Sequence, residues 1–149
     1  MSYDLEFLEK AADQTWEEAF ETAEEADTEA PAAEISAAVT AATRALLGPV
    51  TVNEGEQFYE LDHEASGIQL ILYRHSAAIT VPYWHTGADA VTVVRQIYDL
   101  GLIVERHTGL AGYDPQTDLA VAEAATQPDL AVHIFDRTAA SFTGRGIRH

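Results

Sequence analysis

The segment 67–101 constrains the fold more than any other part of the chain, because its apolar residues change from a period of two to a helical period. Residues 68–73 alternate between two faces, and residues 77–84 repeat the alternation after a short polar connection. This pattern predicts two neighbouring strands joined by a tight turn. A helical pattern follows over residues 88–100, and Gly101 is placed to cap that helix at its C-terminus. We therefore expect a β-hairpin followed by a helix at the centre of the fold.

Several shorter patterns precede this hairpin. Residues 2–8 alternate between apolar and acidic side chains, which predicts a strand with one buried face. Residues 15–26 open with a Thr-x-x-Glu capping box and continue at helical spacing, so they predict an amphipathic helix. A second helix should begin at Pro31 and end at Gly48, and a strand should follow over residues 57–61. The first half of the chain thus supplies two strands and two helices.

The patterns after the hairpin and its helix are shorter and more often interrupted. Residues 102–106 predict a strand, and the glycine- and proline-containing segment 109–115 predicts an irregular or bulged connection. Asp118 can cap a short helix that ends near Ala125, and residues 130–135 predict a last strand.

This order of elements indicates the fold class. A strand, two helices, a hairpin, a helix and a strand are the elements of an α+β, ferredoxin-like sandwich, in which an antiparallel sheet carries its helices on one face. With 149 residues, of which 47% are apolar, the chain is long enough for one domain with its own core. We predict a single domain over residues 1–136, followed by a basic tail over residues 137–149 that is mobile or docked on an acidic face.

The strongest compositional feature is negative charge. The chain has 25 acidic and eight basic residues, a net charge of −17, and 17 of the acids lie within residues 1–67 together with only two bases. Such a field repels nucleic acids and anionic membranes, and it attracts cations or a basic partner. Solubility, a GC-rich coding sequence or a salt-adapted proteome would explain the same charge, and those explanations stay open.

The sequence also bounds the compartment. No apolar run reaches the roughly 18 residues that a membrane-spanning helix needs, and the acidic, alternating N-terminus is unlike a signal peptide. We therefore expect a cytoplasmic protein that has no membrane partner. The absence of cysteine excludes disulfides, thiolate nucleophiles and cysteine metal sites.

No recognised catalytic or metal-binding motif is present. Four histidines lie in or near predicted turns, but no two have the i, i+4 spacing of a helical metal site: His63, His75, His85 and His107. The serines lack the Gly-x-Ser-x-Gly elbow, and the glycines of segment 144–146 have no flanking strand and helix to form a phosphate loop. We predict no catalytic residue, no cofactor and no metal.

Two short segments carry a resemblance to known proteins. They are residues 1–7 (MSYDLEF) and residues 109–116 (GLAGYDPQ). Together they resemble a loose group of small uncharacterised bacterial proteins that begin with SYDL plus an aromatic residue and close with a YDPQ-like segment. The match touches two short ends of a core that spans residues 1–119, and the tail lies outside this core. The resemblance implies a small α/β domain and, because some such proteins look like neighbours of secreted toxins, an immunity-type role.

The first predicted helix offers a candidate partner-binding surface. Its outer face is nearly all glutamate, in one stripe made of Glu17, Glu18, Glu21, Glu24 and Glu25. Like charges four residues apart weaken a helix slightly, which mildly favours a use for this charge. The leading hypothesis is therefore a non-enzymatic interaction protein that binds a basic protein partner, and an immunity-like role is its sharpest form. A solvated helix face would need no partner.

The alternative hypothesis is a small-molecule-binding protein or an enzyme with an aromatic and histidine-containing pocket. The candidate residues are amphipathic rings, imidazoles and one carboxylate: Tyr83, Trp84, His85, His107, Tyr113 and Asp114. The plainer interpretation is that Tyr83 and Trp84 cap the core and that Asp114 forms a turn. Pro82 indicates an edge strand, and a homodimer could pair through this strand or through the C-terminal tail.

Overall fold

The computed structural model describes residues 2–26 and 28–144. In chain order the elements are β1 (Ser2–Leu8), α1 (Trp16–Glu25), α2 (Ala33–Leu47), β2 (Thr51–Glu54), β3 (Tyr59–His63), β4 (Ile68–Leu72), β5 (Ser76–Pro82), α3 (Gly87–Thr108), β6 (Ala111–Asp114), β7 (Leu119–Ala120), α4 (Val121–Ala124) and α5 (Pro128–Gly144). The seven strands of these ranges form one sheet in the order β2-β3-β4-β5-β1-β6-β7, and every neighbouring pair is antiparallel. The predicted α+β class with an antiparallel sheet is confirmed, whereas the ferredoxin-like arrangement is not.

The N-terminal strand lies inside the sheet. β2 to β5 form a meander, and β1 then pairs with β5 along its whole length, from Ser2 opposite Pro82 to Leu8 opposite Ser76. On its other side β1 pairs with β6. Pro82 is therefore the last residue of a central strand, where its missing N–H interrupts no continuing ladder. The edge strand predicted at this position is wrong.

One face of the sheet is covered by helices. We call it the covered face, and its side chains, all at most 2% exposed, include Tyr3, Leu5, Phe7, Leu61, Leu70, Leu72, Ile79 and Val81. Phe135 of α5 stacks on Tyr3 with ring centroids 5.2 Å apart, and the hydroxyl of Tyr98 of α3 lies 3.1 Å from that of Tyr3. From α2, the Thr40 hydroxyl lies 3.1 Å from the hydroxyl of Tyr59. The core therefore lies between this face and α2, α3 and α5.

Helix α1 lies on the opposite face. Tyr113 of β6 is paired directly with Glu6 of β1, so its side chain points away from the covered face. The rings of Trp16 and Phe20 of α1 pack on Tyr113, with centroid distances of 4.9 and 5.7 Å. The prediction that all helices share one face is therefore wrong, because the aromatic side chains of this helix contact a ring on the polar side of the sheet.

Helix α3 is longer than the sequence indicated. It ends at Gly109, which adopts a left-handed φ of 76°. Gly101 lies in its interior, where a Cβ would stand 2.9 Å from Cγ1 of Val121. This glycine is needed for close packing between helices and does not end α3. The predicted cap at Gly101 and the predicted strand over residues 102–106 are both wrong.

The last predicted strand is a helix. Residues 130–135 belong to α5, and Ala131 and Phe135, four residues apart, are fully buried on one helix face. The helix continues past residue 136, where the sequence analysis placed the end of the domain. Of the predicted tail, residues 145–149 lie outside the described residues.

A tight turn replaces the cap predicted at Asp118. This residue has a positive φ of 58° and lies between β6 and β7. The short helix itself is present as α4, and Ala120 precedes its first residue. The β6–β7 hairpin thus occupies the segment that the sequence indicated as irregular.

Candidate functional site

Helix α1 is held firmly at its N-terminus and along its inner side. Thr15 Oγ1 accepts a hydrogen bond from the Glu18 N–H at 3.1 Å, and Glu18 Oε1 accepts one from the Thr15 N–H at 3.0 Å. These bonds form the predicted capping box, and the Thr15 backbone and side chain lower the pKa of Glu18. Ala19, on the inner side, is fully buried. The helix is therefore a fixed platform.

The glutamates of the predicted partner-binding stripe are all exposed. They are Glu17, Glu18, Glu21, Glu24 and Glu25. Within the described part of the chain, the ion pairs join Arg74 to Glu29 at 3.0 Å and His75 to Glu9 at 2.8 Å, so neither pair involves the stripe. The stripe thus presents uncompensated negative charge to solvent, which agrees with a partner-binding surface and with a solvated helix face alike.

The structure does not bring the six predicted pocket residues together. Tyr83 is buried against Phe135, with ring centroids 5.0 Å apart, and burial raises the pKa of Tyr83 to about 12. Trp84, the next residue, is 53% exposed. His85 Nε2 donates to the carbonyl oxygen of Ser66 at 2.8 Å. These three consecutive residues therefore have three different environments.

The other three predicted pocket residues lie elsewhere. His107 is in the last turn of α3 and His85 precedes the first, so about 30 Å of helix separates them at 1.5 Å per residue. Tyr113 and Asp114 are consecutive in β6 and point to opposite faces of the sheet. Tyr113 packs under α1, whereas Asp114 is fully buried on the covered face. One concave site built from all six residues is not formed.

His85 does line a cleft with other polar side chains. The cleft has a volume of about 330 Å³ and is also lined by His63, Ser66, Asp89 and Gln96. His63 Nδ1 lies 2.6 Å from the hydroxyl of Ser66. Among the described residues, no three histidine, aspartate or glutamate side chains are placed to share a metal ion. Of the six residues predicted to form a pocket near Trp84, only His85 lines this cleft.

Asp114 belongs to a buried polar cluster on the covered face. Its Oδ2 accepts hydrogen bonds from the hydroxyls of Tyr3 and Tyr98, both at 2.6 Å. Its Oδ1 accepts from the backbone N–H and the side-chain Nε2 of Gln116, at 2.9 and 2.7 Å. Burial, reinforced by the carboxylate, raises the pKa of both tyrosines, so the phenols remain donors. The carboxylate thus ties the β6–β7 turn to β1 and α3.

The two segments that carry the resemblance are in direct contact. Gln116 Nε2 donates to the carbonyl oxygen of Asp4 at 2.7 Å, and Gln116 Oε1 accepts from the Asp4 N–H at 2.9 Å. With the bond from Tyr3 to Asp114, these contacts link the SYDL and YDPQ segments. Sequence reasoning missed the link. The sequence did contain one signal for it. The alternation of β1 places Tyr3 in the core, where its hydroxyl needs a hydrogen-bond partner from another segment.

The face of the sheet beside α1 is otherwise uncovered. We call it the open face, and the strand registers place on it Asp4, Glu6, Asn53, Glu60, Asp62, Gln69, Ile71, Ala78 and Thr80. All of these side chains are exposed or partly exposed. Four are carboxylates, and none is a lysine, arginine or histidine. Sequence reasoning missed this surface, because β3 and β1 share it only through the strand order β3-β4-β5-β1.

The open-face carboxylates form two pairs, Asp4 with Glu6 on β1 and Glu60 with Asp62 on β3. Burial raises the pKa of Glu6, and the charge of Asp4 adds to the shift. Burial also raises the pKa of Glu60, with further contributions from the hydrogen bond and the charge of Asp62. Asn53 Nδ2 donates to Asp62 Oδ2 at 2.8 Å, but neither ion pair of the described residues reaches these carboxylates. Folding thus disfavours the ionised forms of Glu6 and Glu60.

Two further findings concern the chain as a whole. None of the described helices combines the length and the apolar composition that crossing a lipid bilayer requires. Comparisons with models of protein families, with curated proteins and with solved structures found no match.

Proposed function

We propose that the protein is a non-enzymatic, cytoplasmic interaction protein that binds a basic protein partner, with α1 as the docking face. The observation that carries this proposal is the exposed glutamate stripe on a helix that the capping box and the rings of Trp16 and Phe20 hold in place. A helix that is already fixed loses little conformational entropy on binding. An immunity-like role, in which the partner is a basic toxin, is the sharpest form of the proposal.

The distribution of charge also supports a basic partner. The net charge is −17, and the stripe on α1 has no ion pair within the described part of the chain. A field of one sign steers an oppositely charged protein towards the surface and raises its association rate. Because salt screens such fields over about 8 Å at physiological ionic strength, the association should weaken steeply as salt is added.

Affinity capture from the native lysate at low salt tests the proposal. The test variant carries glutamine at Glu17, Glu21, Glu24 and Glu25. A matched control makes the same change of charge at four scattered, exposed glutamates, namely Glu34, Glu56, Glu64 and Glu123. We expect the wild type and the control to capture a basic protein, identified by mass spectrometry, and the test variant to lose it. If all three proteins capture the same material, or none captures a basic protein, the charge of α1 reflects amino-acid composition and not partner binding.

A small-molecule-binding role stays the second candidate, because His63 and His85 line one cleft of about 330 Å³ with Ser66. That volume lies within the range of about 300–1,000 Å³ that is typical of ligand sites. Ligand screening by thermal shift, with His85→Ala as the comparison, tests it. A ligand that stabilises the wild type and the variant equally would bind elsewhere.

A further inference from the structure

The open face has a surface pattern of its own. Ile71 and Ala78 are directly paired across β4 and β5 and form an apolar strip at its centre. The two carboxylate pairs stand on either side of this strip, one on β3 and the other on β1. These strands are three strand spacings apart, which is about 14 Å. The face is thus an apolar strip between two negative rims.

The backbone beneath the face limits what can bind to it. β3, β4 and β5 each lie between two strands. β1 pairs with β5 along its whole length and with β6 at Glu6–Leu8, and the Asp4 N–H and C=O bond to the side chain of Gln116. The backbone groups beneath the face are therefore largely paired already. An extended peptide laid on the face would find few backbone partners, and its own polar groups would lose water without compensation. An α-helix pairs its backbone groups internally and has a diameter of about 10–12 Å with its side chains. A helix therefore fits both the chemistry of the face and the distance between its rims.

We propose that the open face binds an amphipathic α-helix of the basic partner, with an apolar ridge that is flanked on both sides by lysine or arginine. The ridge packs on Ile71 and Ala78, and the two basic flanks reach the carboxylate pairs on β3 and β1. This inference rests on the proposed function, since it specifies the part of a basic protein that binds and adds a second surface to α1.

Charge complementarity favours this occupant over a neutral or an acidic helix. The open face holds four carboxylates and no basic side chain, so no cation of the face competes with those of the partner. A lysine or arginine placed at each pair would offset the repulsion within it. Helix α1, which carries the glutamate stripe, lies on the same side of the sheet and adds negative charge to that side of the molecule.

Two synthetic peptides of identical composition test the proposal. In one, leucines recur at i, i+3, i+4 and i+7 with lysines on both flanks, and in the other the same residues are scrambled so that no apolar face forms. Binding is measured by fluorescence anisotropy at low salt, and circular dichroism reports helix formation. We expect the amphipathic peptide to bind at least about ten-fold more tightly, a difference of about 1.4 kcal/mol, and to gain helix content on binding.

Two matched variants locate the binding surface. Gln69→Arg places a cation at an exposed position of the open face, and Ala41→Arg makes the same change of charge at an exposed position of α2. We expect Gln69→Arg to weaken binding of the amphipathic peptide about ten-fold or more, through like-charge repulsion and through competition for the carboxylates. Ala41→Arg should change it by no more than about two-fold. Ala78→Arg, which blocks the apolar strip, is a second test once thermal melting shows that it folds.

The outcomes separate this inference from the proposed function. If both peptides bind equally, and the glutamine variant of α1 weakens both while Gln69→Arg weakens neither, the basic-partner function stands and the open face is not the site. Binding of the amphipathic peptide that both Gln69→Arg and Ala78→Arg leave unchanged would likewise overturn the inference. If neither peptide binds at low salt, the inference and the proposed function both fail.

Discussion

On β5, Ile79 is fully buried beneath the helices, whereas Thr80, the next residue, faces partly into solvent on the open face. The same alternation separates Leu70 from Gln69 on β4 and Leu5 from its acidic neighbours on β1. One face of these strands is therefore apolar and enclosed, and the other is accessible and mostly polar, apart from the strip of Ile71 and Ala78. The difference indicates that the covered face supplies the stability of the fold and leaves the open face available for recognition.

Carboxylates show the same contrast between the two faces. Asp114 on the covered face is fully buried, and each of its oxygens accepts hydrogen bonds from neighbouring groups. Asp62 on the open face accepts from the side-chain amides of Asn53 and Gln69 and stays partly exposed. Asp114 joins three elements of the fold, whereas the two carboxylates within each pair on the open face repel each other. The fold therefore depends on the first carboxylate and not on the others.

We expect the largest difference in stability between variants of Ile79 and Thr80. Ile79→Ala removes a fully buried side chain and should lower the free energy of unfolding by about 2–5 kcal/mol. Thr80→Ala removes a β-branched side chain of the same strand that is only partly buried, so it should cost less than about 1 kcal/mol. Urea unfolding of both variants measures the two values. Equal losses would mean that the open face is packed against something and is not free.

We expect a smaller difference in stability between variants of Asp114 and Asp62. Asp114→Asn keeps the shape of the side chain but replaces one acceptor oxygen by a donor, which leaves bonds to the tyrosines or to Gln116 unmade. We expect a loss of about 1–3 kcal/mol, the usual cost of an unsatisfied buried group. Asp62→Asn is the control on the open face, and it should change stability by no more than about 0.5 kcal/mol. Urea unfolding that shows no loss for Asp114→Asn would contradict the structural role of the cluster.

The local patterns of the chain predicted the elements with a clear period. β1, β4 and β5 follow from strict alternation, and α1 follows from its capping box, because both signals depend only on neighbouring residues. The end of α3 was mispredicted because Gly101 is a helix-to-helix contact with Val121, a residue 20 positions away. The helical spacing of apolar residues does continue to Val104, which is fully buried, so the sequence contained a signal for the longer helix.

The candidate site could be predicted only in part. The stripe on α1 lies within one helix, so its exposure follows from the amphipathic pattern. The open face combines β1 with β3, and their side by side placement depends on the order in which distant strands pair. The contact of Gln116 with Asp4 depends on the same order. Such relations are tertiary, and periodicity along one segment does not contain them.

The smallest effect concerns the charge of the open face, through Glu6→Gln. The folded protein holds the pKa of Glu6 above its ordinary value of 4.5, so the folded state binds protons more readily than the unfolded state. Stability conferred by this residue is therefore present at low pH and is lost as the pH rises through the raised pKa. Glutamine mimics the protonated carboxyl at every pH. The variant should thus be more stable than the wild type at pH 7, by less than about 1 kcal/mol because solvent screens the site.

This gain should vanish as the pH falls below 4.5, where the carboxyl is protonated in the folded and the unfolded protein alike. Thermal melting of both proteins at pH 7 and at about pH 4 measures the difference, and Glu21→Gln on α1 controls for the change of net charge. A gain that persists at about pH 4 would come from packing, since no charge is then left to remove. A gain that appears only at pH 7, and disappears when a lysine-flanked helical peptide is bound, would show that a basic partner offsets the cost of ionising Glu6, which comes from burial and from the charge of Asp4.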